Sequence, residues 1–208
     1  MPELPHRTSP DLLVLHTLRC TGFAELARAA EAVGLPEADV ESELFDLAVA
    51  GLVTRISGPF GGWGLTEAGR AADAERIAAE LAASAAREPV SEVYERFLVL
   101  NPELLDLCTA WQTRPVDGAM ALNDHADTTY DTLVLTRLTD LDRRAAEVCA
   151  ELSAVLHRFA RYRERLAGAL GRAHAGEQGA VTESTDSYHA VWFQLHEDLL
   201  TTLGIPRH

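Results

Sequence analysis

Apolar residues recur along this chain at two spacings, and the switch between them outlines its parts. Leu12, Leu13, Leu15, His16 and Leu18 follow at helical spacing behind Ser9-Pro10-Asp11, which supplies an N-cap, a first-turn proline and a first-turn acid. This first helix should end near Arg19, ahead of Gly22. A second is expected from Phe23 to Val33, with Leu26, Ala27, Ala30 and Val33 inward and Gly34 as its stop. Pro36-Glu37 opens a third through Ala50, with Val40, Leu44, Leu47 and Ala48 on one face. The pattern then changes. Leu52-Val53-Thr54-Arg55-Ile56 has strand composition, Ser57-Gly58-Pro59-Phe60-Gly61-Gly62 is a turn-rich tip, and Trp63-Gly64-Leu65 returns, so a β-hairpin is predicted.

Helical spacing resumes at Thr66, which can cap an Ala-rich helix over Glu67 to Arg87. Pro89 should interrupt it. Val90 to Leu100 reads as a further helix, and Asn101-Pro102-Glu103 as the cap and first turn of another that reaches about Gln112. The polar stretch from Thr113 to Thr129 is expected as a loop. Tyr130 to about Leu156 and Arg158 to Ala173 read as two long helices, residues 174 to 185 as a mobile Gly, Glu, Ser and Thr-rich segment, and Asp186 to Leu203 as the last helix. The fold class expected is therefore mainly α, in two domains: residues 1–88 with a small hairpin, and an all-helical 89–208.

The order helix, two helices joined by a tight turn, hairpin, long helix rests on particular residues. They are Glu25-Leu26-Ala27, Gly34-Leu35, Val40 with Leu44 and Leu47, and Gly51-Leu52-Val53-Thr54-Arg55 running to Gly61-Gly62-Trp63-Gly64-Leu65-Thr66-Glu67-Ala68-Gly69-Arg70. Over about residues 10 to 87 the chain resembles the winged helix-turn-helix regulators of the MarR and PadR type. The resemblance implies a homodimer that binds double-stranded DNA, its third helix in the major groove and the hairpin arginine on a phosphate or in the minor groove. Carried onto this sequence, the DNA contacts would be Arg55, Ser42, Arg28 and Arg70, with Arg19 nearby.

Charge complicates that expectation. The 208 residues carry a formal net charge of -14, with 32 acids against 18 arginines and no lysine. The deficit is shared equally by the two predicted domains. The third helix holds Glu37, Asp39, Glu41, Glu43 and Asp46 and not one base, where a reader of DNA presents Arg, Lys, Asn, Gln or Ser. Two functions follow: a ligand-responsive transcriptional regulator, or a winged-helix scaffold that no longer binds DNA and holds a small molecule or protein. An enzyme on this scaffold is a third reading. It lacks support from GxSxG, P-loop or GxGxxG patterns, so no catalytic residue is assigned.

The candidate effector site lies in the helical half. On the last helix His189, Trp192, Phe193, His196 and Leu200 recur at i, i+3, i+4, i+7, and aromatic area with two imidazole handles suits a small organic ligand. Trp111 and Arg114 end an earlier helix. With His125, in Asn123-Asp124-His125-Ala126-Asp127, they could stack on a ligand and clamp its carboxylate, or Trp111 could be core and Arg114 pair with Asp117. The His and Asp spacings match no zinc pattern, so neither a metal nor a cofactor is assigned. Cys20, Cys108 and Cys149 read as buried reduced thiols. Arg158, Arg161, Arg163, Arg165 and Arg172 form the one basic segment, read as a helix surface pairing with acidic neighbours in preference to a phosphate site. No apolar run spans a bilayer and the N-terminus lacks the core of a signal peptide, so a cytoplasmic protein without membrane contact is expected.

Overall fold

A computed structural model of the chain describes residues 4–58, 61–116 and 118–206. Pro59 and Phe60 of the predicted hairpin tip, and Asp117, the alternative partner of Arg114, lie outside the described residues. The architecture is mainly helical with small antiparallel sheets. In chain order it comprises α1 (Pro10–Thr21), β1 (Phe23–Ala24), α2 (Leu26–Val33), α3 (Glu37–Val49), β2 (Val53–Ile56), β3 (Gly62–Leu65) and α4 (Glu67–Ala83). There follow α5 (Arg87–Gln112), β4 (Thr113–Val116), β5 (Ala119–Leu122), α6 (Thr128–Val155), a 3-10 turn (His157–Phe159), α7 (Ala160–His174), α8 (Gly179–Thr182) and α9 (Tyr188–Leu203).

The sheet near the N-terminus has the order β1-β3-β2. Its hairpin, predicted from strand composition on either side of a turn-rich tip, pairs Val53 with Leu65 and Ile56 with Gly62. The third strand is a correction. Phe23 and Ala24, expected as the first turn of a helix, instead pair with Gly64 and Trp63. Glycine permits that approach, since a Cβ at Gly62 would lie 2.6 Å from the carbonyl oxygen of Ala24. Beyond β3, Thr66 caps α4 by accepting from the Gly69 amide at 3.0 Å, and its hydroxyl donates to the carbonyl of Gly51 at 2.8 Å.

Several helical boundaries differ from expectation, each for a local reason. Pro89 sits in the first turn of α5, where its missing N–H is no loss, so it begins that helix without breaking a longer one. Pro102 lies inside α5, which runs unbroken through the position where two helices are predicted. Packing against α6 and α9 along its length holds it together. Residues 113–116 and 119–122 pair as antiparallel strands where a loop is expected, with Thr113 opposite Leu122 and Val116 opposite Ala119. Within the stretch expected to be mobile, α8 buries Ala180 and Val181.

Apolar residues collect in two clusters. One gathers Val14, Leu15 and Leu18 with Val40, Leu44, Leu47, Val53 and Trp63 from the N-terminal elements. The larger runs from Leu81 through Phe97, Leu104, Leu138, Phe159 and Tyr188 to Leu203. α9 packs on α1 and α4 as well as on α5 and α7, and so lies between the clusters. The buried side of α4 is engaged there, within its own chain.

Close backbone contact gives a test of this packing. A Cβ at Gly69 would fall 1.9 Å from the carbonyl oxygen of Leu52, while one at Gly171 in α7 meets nothing within 4 Å. Gly69→Ala should destabilise by roughly 3 kcal/mol through forced backbone movement. Gly171→Ala should stabilise by about 0.5–1 kcal/mol through helix propensity. Urea melts of the two variants measure both signs.

Candidate functional site

On α3, Glu37, Asp39, Glu41, Ser42 and Asp46 are exposed, and Glu43 is half-buried. Burial, then the fields of Asp11, Asp46 and Asp39, push the Glu43 carboxyl above its ordinary range. Two apolar side chains stand out from the same helix. Phe45 is 50% exposed and Val49 90%, and Phe45 meets Trp63 of β3 edge-on at 5.9 Å. A cavity of about 370 Å³ opens between α2, α3 and the hairpin, walled by Glu25, Glu41, Arg55, Ile56 and Trp63 among others.

The arginines proposed to contact DNA are dispersed. Arg55 is exposed on β2, its guanidinium 5.8 Å from the centre of the Trp63 ring. Arg28 donates to the carbonyl of Thr185, beside α9, at 3.3 Å, and Arg70 donates to that of Leu65 at 3.2 Å. Arg19 lies 3.5 Å from Glu197. Of this set, only Arg55 lines the cavity beside α3.

The strongest electrostatic feature was not anticipated from the sequence. His16 on α1 is fully buried, with Nδ1 2.9 Å from Asp73 Oδ1 of α4 and Nε2 3.0 Å from Asp198 Oδ1 of α9. Both ring nitrogens face carboxylates, and only the imidazolium donates from both. Burial alone would lower its pKa, but Cys20 and the Asp198 and Asp73 carboxylates raise it well above the usual imidazole value. Asp198 also accepts from Arg158, from Arg161 at 3.0 Å and from the Tyr162 hydroxyl at 2.9 Å. Against burial, which raises it, Arg158 and His16 hold its carboxyl well below the ordinary range.

Arg158 further donates to Glu80 of α4 at 3.0 Å and to Thr202 at 2.8 Å. Within this network the charges balance, His16, Arg158 and Arg161 against Asp73, Glu80 and Asp198; Asp142, also buried, pairs separately with Arg163. The basic segment expected as a helix surface is therefore partly interior. Its remaining arginines are also engaged, Arg163 with Asp142 at 2.8 Å, Arg165 with Gln194 at 2.6 Å and Arg172 with Asp186 at 2.6 Å. A signal existed in the sequence, since His16 interrupts an otherwise apolar stripe and Asp198 is followed by two leucines.

His16 Nε2, Cys20 Sγ and an Asp198 oxygen lie within 4.8 Å of one another, a grouping able to hold a metal ion. Its chemistry fits a salt-bridge network better. Two guanidiniums already occupy the carboxylate and would oppose a dication. Cys108 and Cys149 are buried, and burial pushes each thiol up to about 12, which removes them as nucleophiles at neutral pH.

The proposed effector residues divide between two places. Trp192, 2% exposed, stacks on Phe97 at 4.6 Å and donates to Asn101 at 3.0 Å. His196 lies beside Phe97 and Tyr94. Phe193 is 43% exposed and His189 half-buried, so the four do not share one inward face as expected: their successive 100° steps carry Phe193 to the rim of α9. The second place is ten residues further along α5, about 15 Å away. There Trp111 is buried, donates to the carbonyl of Gln178 at 3.1 Å, and meets the tilted His125 ring at 4.6 Å.

This second cluster is tightly organised. Asp131 accepts from His125 Nδ1 at 2.9 Å and from the Asn123 amide at 2.8 Å, and Asn123 also donates to the carbonyl of Trp111. His125 adopts a left-handed backbone, φ 57°, a strained conformation that these bonds sustain. Arg114 on β4 pairs with Asp124 at 3.1 Å. Together they clamp the base of the β4–β5 hairpin to α5 and α6, while Met120 and Leu122 on it are 65% and 82% exposed.

Compared with protein-family models, with curated proteins and with solved structures, the chain matches none. Function therefore rests on the geometry alone. Among the described residues no helix is long and apolar enough to cross a membrane.

The network predicts a pH profile. His16, with its raised folded value, contributes stability that is complete below the unfolded value of about 6.5 and is lost as pH rises through the folded one. Asp198, depressed, contributes stability present above about 3.9 and lost as pH falls through its folded value. Urea midpoints should hold level between about pH 4 and 6.5 and fall on both sides. His16→Gln should lower the plateau and flatten the alkaline limb. Asp198→Asn, which strands buried guanidiniums, should lose roughly 3–5 kcal/mol at neutral pH. A wild-type midpoint unchanged across the alkaline range would exclude a charged His16.

Proposed function

We propose that α1 to α4 and their sheet form a winged helix-turn-helix unit that acts as a docking scaffold for a protein partner and does not read duplex DNA. The observation that carries this reading is α3 itself. The helix that would enter the major groove exposes carboxylates and two apolar side chains, and phosphate backbone would meet like charge along it. Specific DNA affinity draws on several cationic contacts. Here Arg28 and Arg70 bond to carbonyls of the protein, and Arg55 alone extends from the hairpin beside α3.

Exposed apolar side chains rimmed by charge are the usual make-up of a protein-binding patch. Phe45 and Val49, one turn apart on α3, are such side chains, and Ile56, 57% exposed, lines the neighbouring cavity with Trp63. The α5–α9 half supports the unit from behind through the buried charge network. Fluorescence anisotropy against the DNA upstream of the coding sequence and a scrambled duplex, at about 50 and 200 mM salt, tests the proposal. No specific complex should form at either salt. A sequence-specific, salt-sensitive complex lost on Arg55→Ala would sink it and establish a DNA-binding regulator.

A further inference from the structure

From the charge and shape of the α3 face we infer the chemistry of its partner: a basic amphipathic segment of another protein, its apolar side chains seated on Phe45 and Val49 and its cations on the flanking carboxylates. The inference rests on the reading of this face as a docking surface. Phe45 and Val49 are one turn apart and so belong to one stripe of α3. Glu41 precedes Phe45 by one turn, with Asp39 and Asp46 exposed beside the stripe. An apolar strip bordered by acids is the complement of a helix with leucines on one side and lysines or arginines on the other.

The adjoining cavity of about 370 Å³ extends the match. Glu25 and Glu41 stand on its wall with Ile56 and Trp63, so a long cationic side chain entering it would lay its methylenes on apolar surface and its head against carboxylates. Arg55 sits over the Trp63 ring at the same cavity. It is the one like charge there, and an incoming guanidinium or ammonium would have to pass beside it. Neither an acidic peptide nor a nucleic acid fits this distribution.

The test uses the full chain and a fluorescein-labelled synthetic Lys/Leu amphipathic peptide of about 15 residues, about four helical turns. A peptide of the same composition with leucines and lysines scrambled out of helical register is the comparison. Anisotropy titrations are run at about 150 mM salt to screen bulk attraction to an acidic protein. Asp39→Lys with Glu41→Lys, and separately Phe45→Ser with Val49→Ser, should each weaken binding about tenfold or more. Asp106→Lys with Glu88→Lys, an equal charge change elsewhere, should alter it less than about twofold. Val49→Ser alone, at a 90% exposed position, guards against loss of fold in the Phe45 variant and should still weaken binding.

Equal losses from both charge-reversal pairs, with no effect of Phe45 or Val49, would overturn the inference and leave only attraction to net charge. Equal affinity for the scrambled peptide, or no binding at all, would overturn it too. If the upstream duplex displaced the bound peptide, the scaffold reading itself would fail, a result distinct from failure of the peptide to bind.

Discussion

A buried carboxylate that faces two guanidiniums, an imidazolium and a phenol sets the frame of this molecule. Asp198 has no access to water, so every lone pair must be met from within, and the donors come from α1, the 3-10 turn, α7 and α9 itself. Such a network fixes geometry more than it adds stability, because desolvation offsets much of the attraction. It tolerates one arrangement. Sliding α9 along α1 by a turn would strand His16 between unmatched partners, whereas an all-leucine interface would accept several registers. The relation between the two apolar clusters is therefore set by charge neutrality.

The surface is acidic because the chain has 32 acids against 18 arginines, and a balanced network leaves that excess outside. Arginines are limited, and those of residues 158–172 are used inside the protein or against neighbouring side chains and carbonyls. Arg28, Arg70 and Arg19 likewise bond within the chain. Among the described residues no ion pair compensates the carboxylates of α3. Where the N-terminal unit would offer a basic face to a duplex, it offers an acidic one with apolar side chains exposed along its centre.

Away from that face, the Trp111, Asn123, His125 and Asp131 cluster shows how polar side chains stand in for a core. A two-stranded hairpin buries too little to hold its own orientation. Here its base is secured by Asn123 and Asp131 and by the contact of the His125 ring with Trp111. The strain at His125 is sustained by these bonds. Trp111 and His125 meet here, and Arg114 pairs with Asp124 beside them. Trp192 and His196 of α9, expected in the same effector pocket, pack instead against an earlier part of α5.

Much of the local structure was legible from the chain itself, because periodicity, caps and turns act within a few residues. Ser9-Pro10-Asp11, Gly34, Thr66 and the strand composition around Val53 and Trp63 each mark an element that is present, and the five acids of α3 could be read directly. Proline was ambiguous: Pro89 and Pro102 look alike in sequence, yet one opens α5 and the other is carried inside it by packing against α6 and α9. The strand pairing of Phe23 and Ala24 needed glycines some forty residues away. Least legible was the buried network, whose members His16, Asp73, Glu80, Arg158, Arg161 and Asp198 span most of the chain. Each alone reads as an ordinary polar residue on a helix. Their meaning is Coulombic, and it exists only when folding removes water from between them.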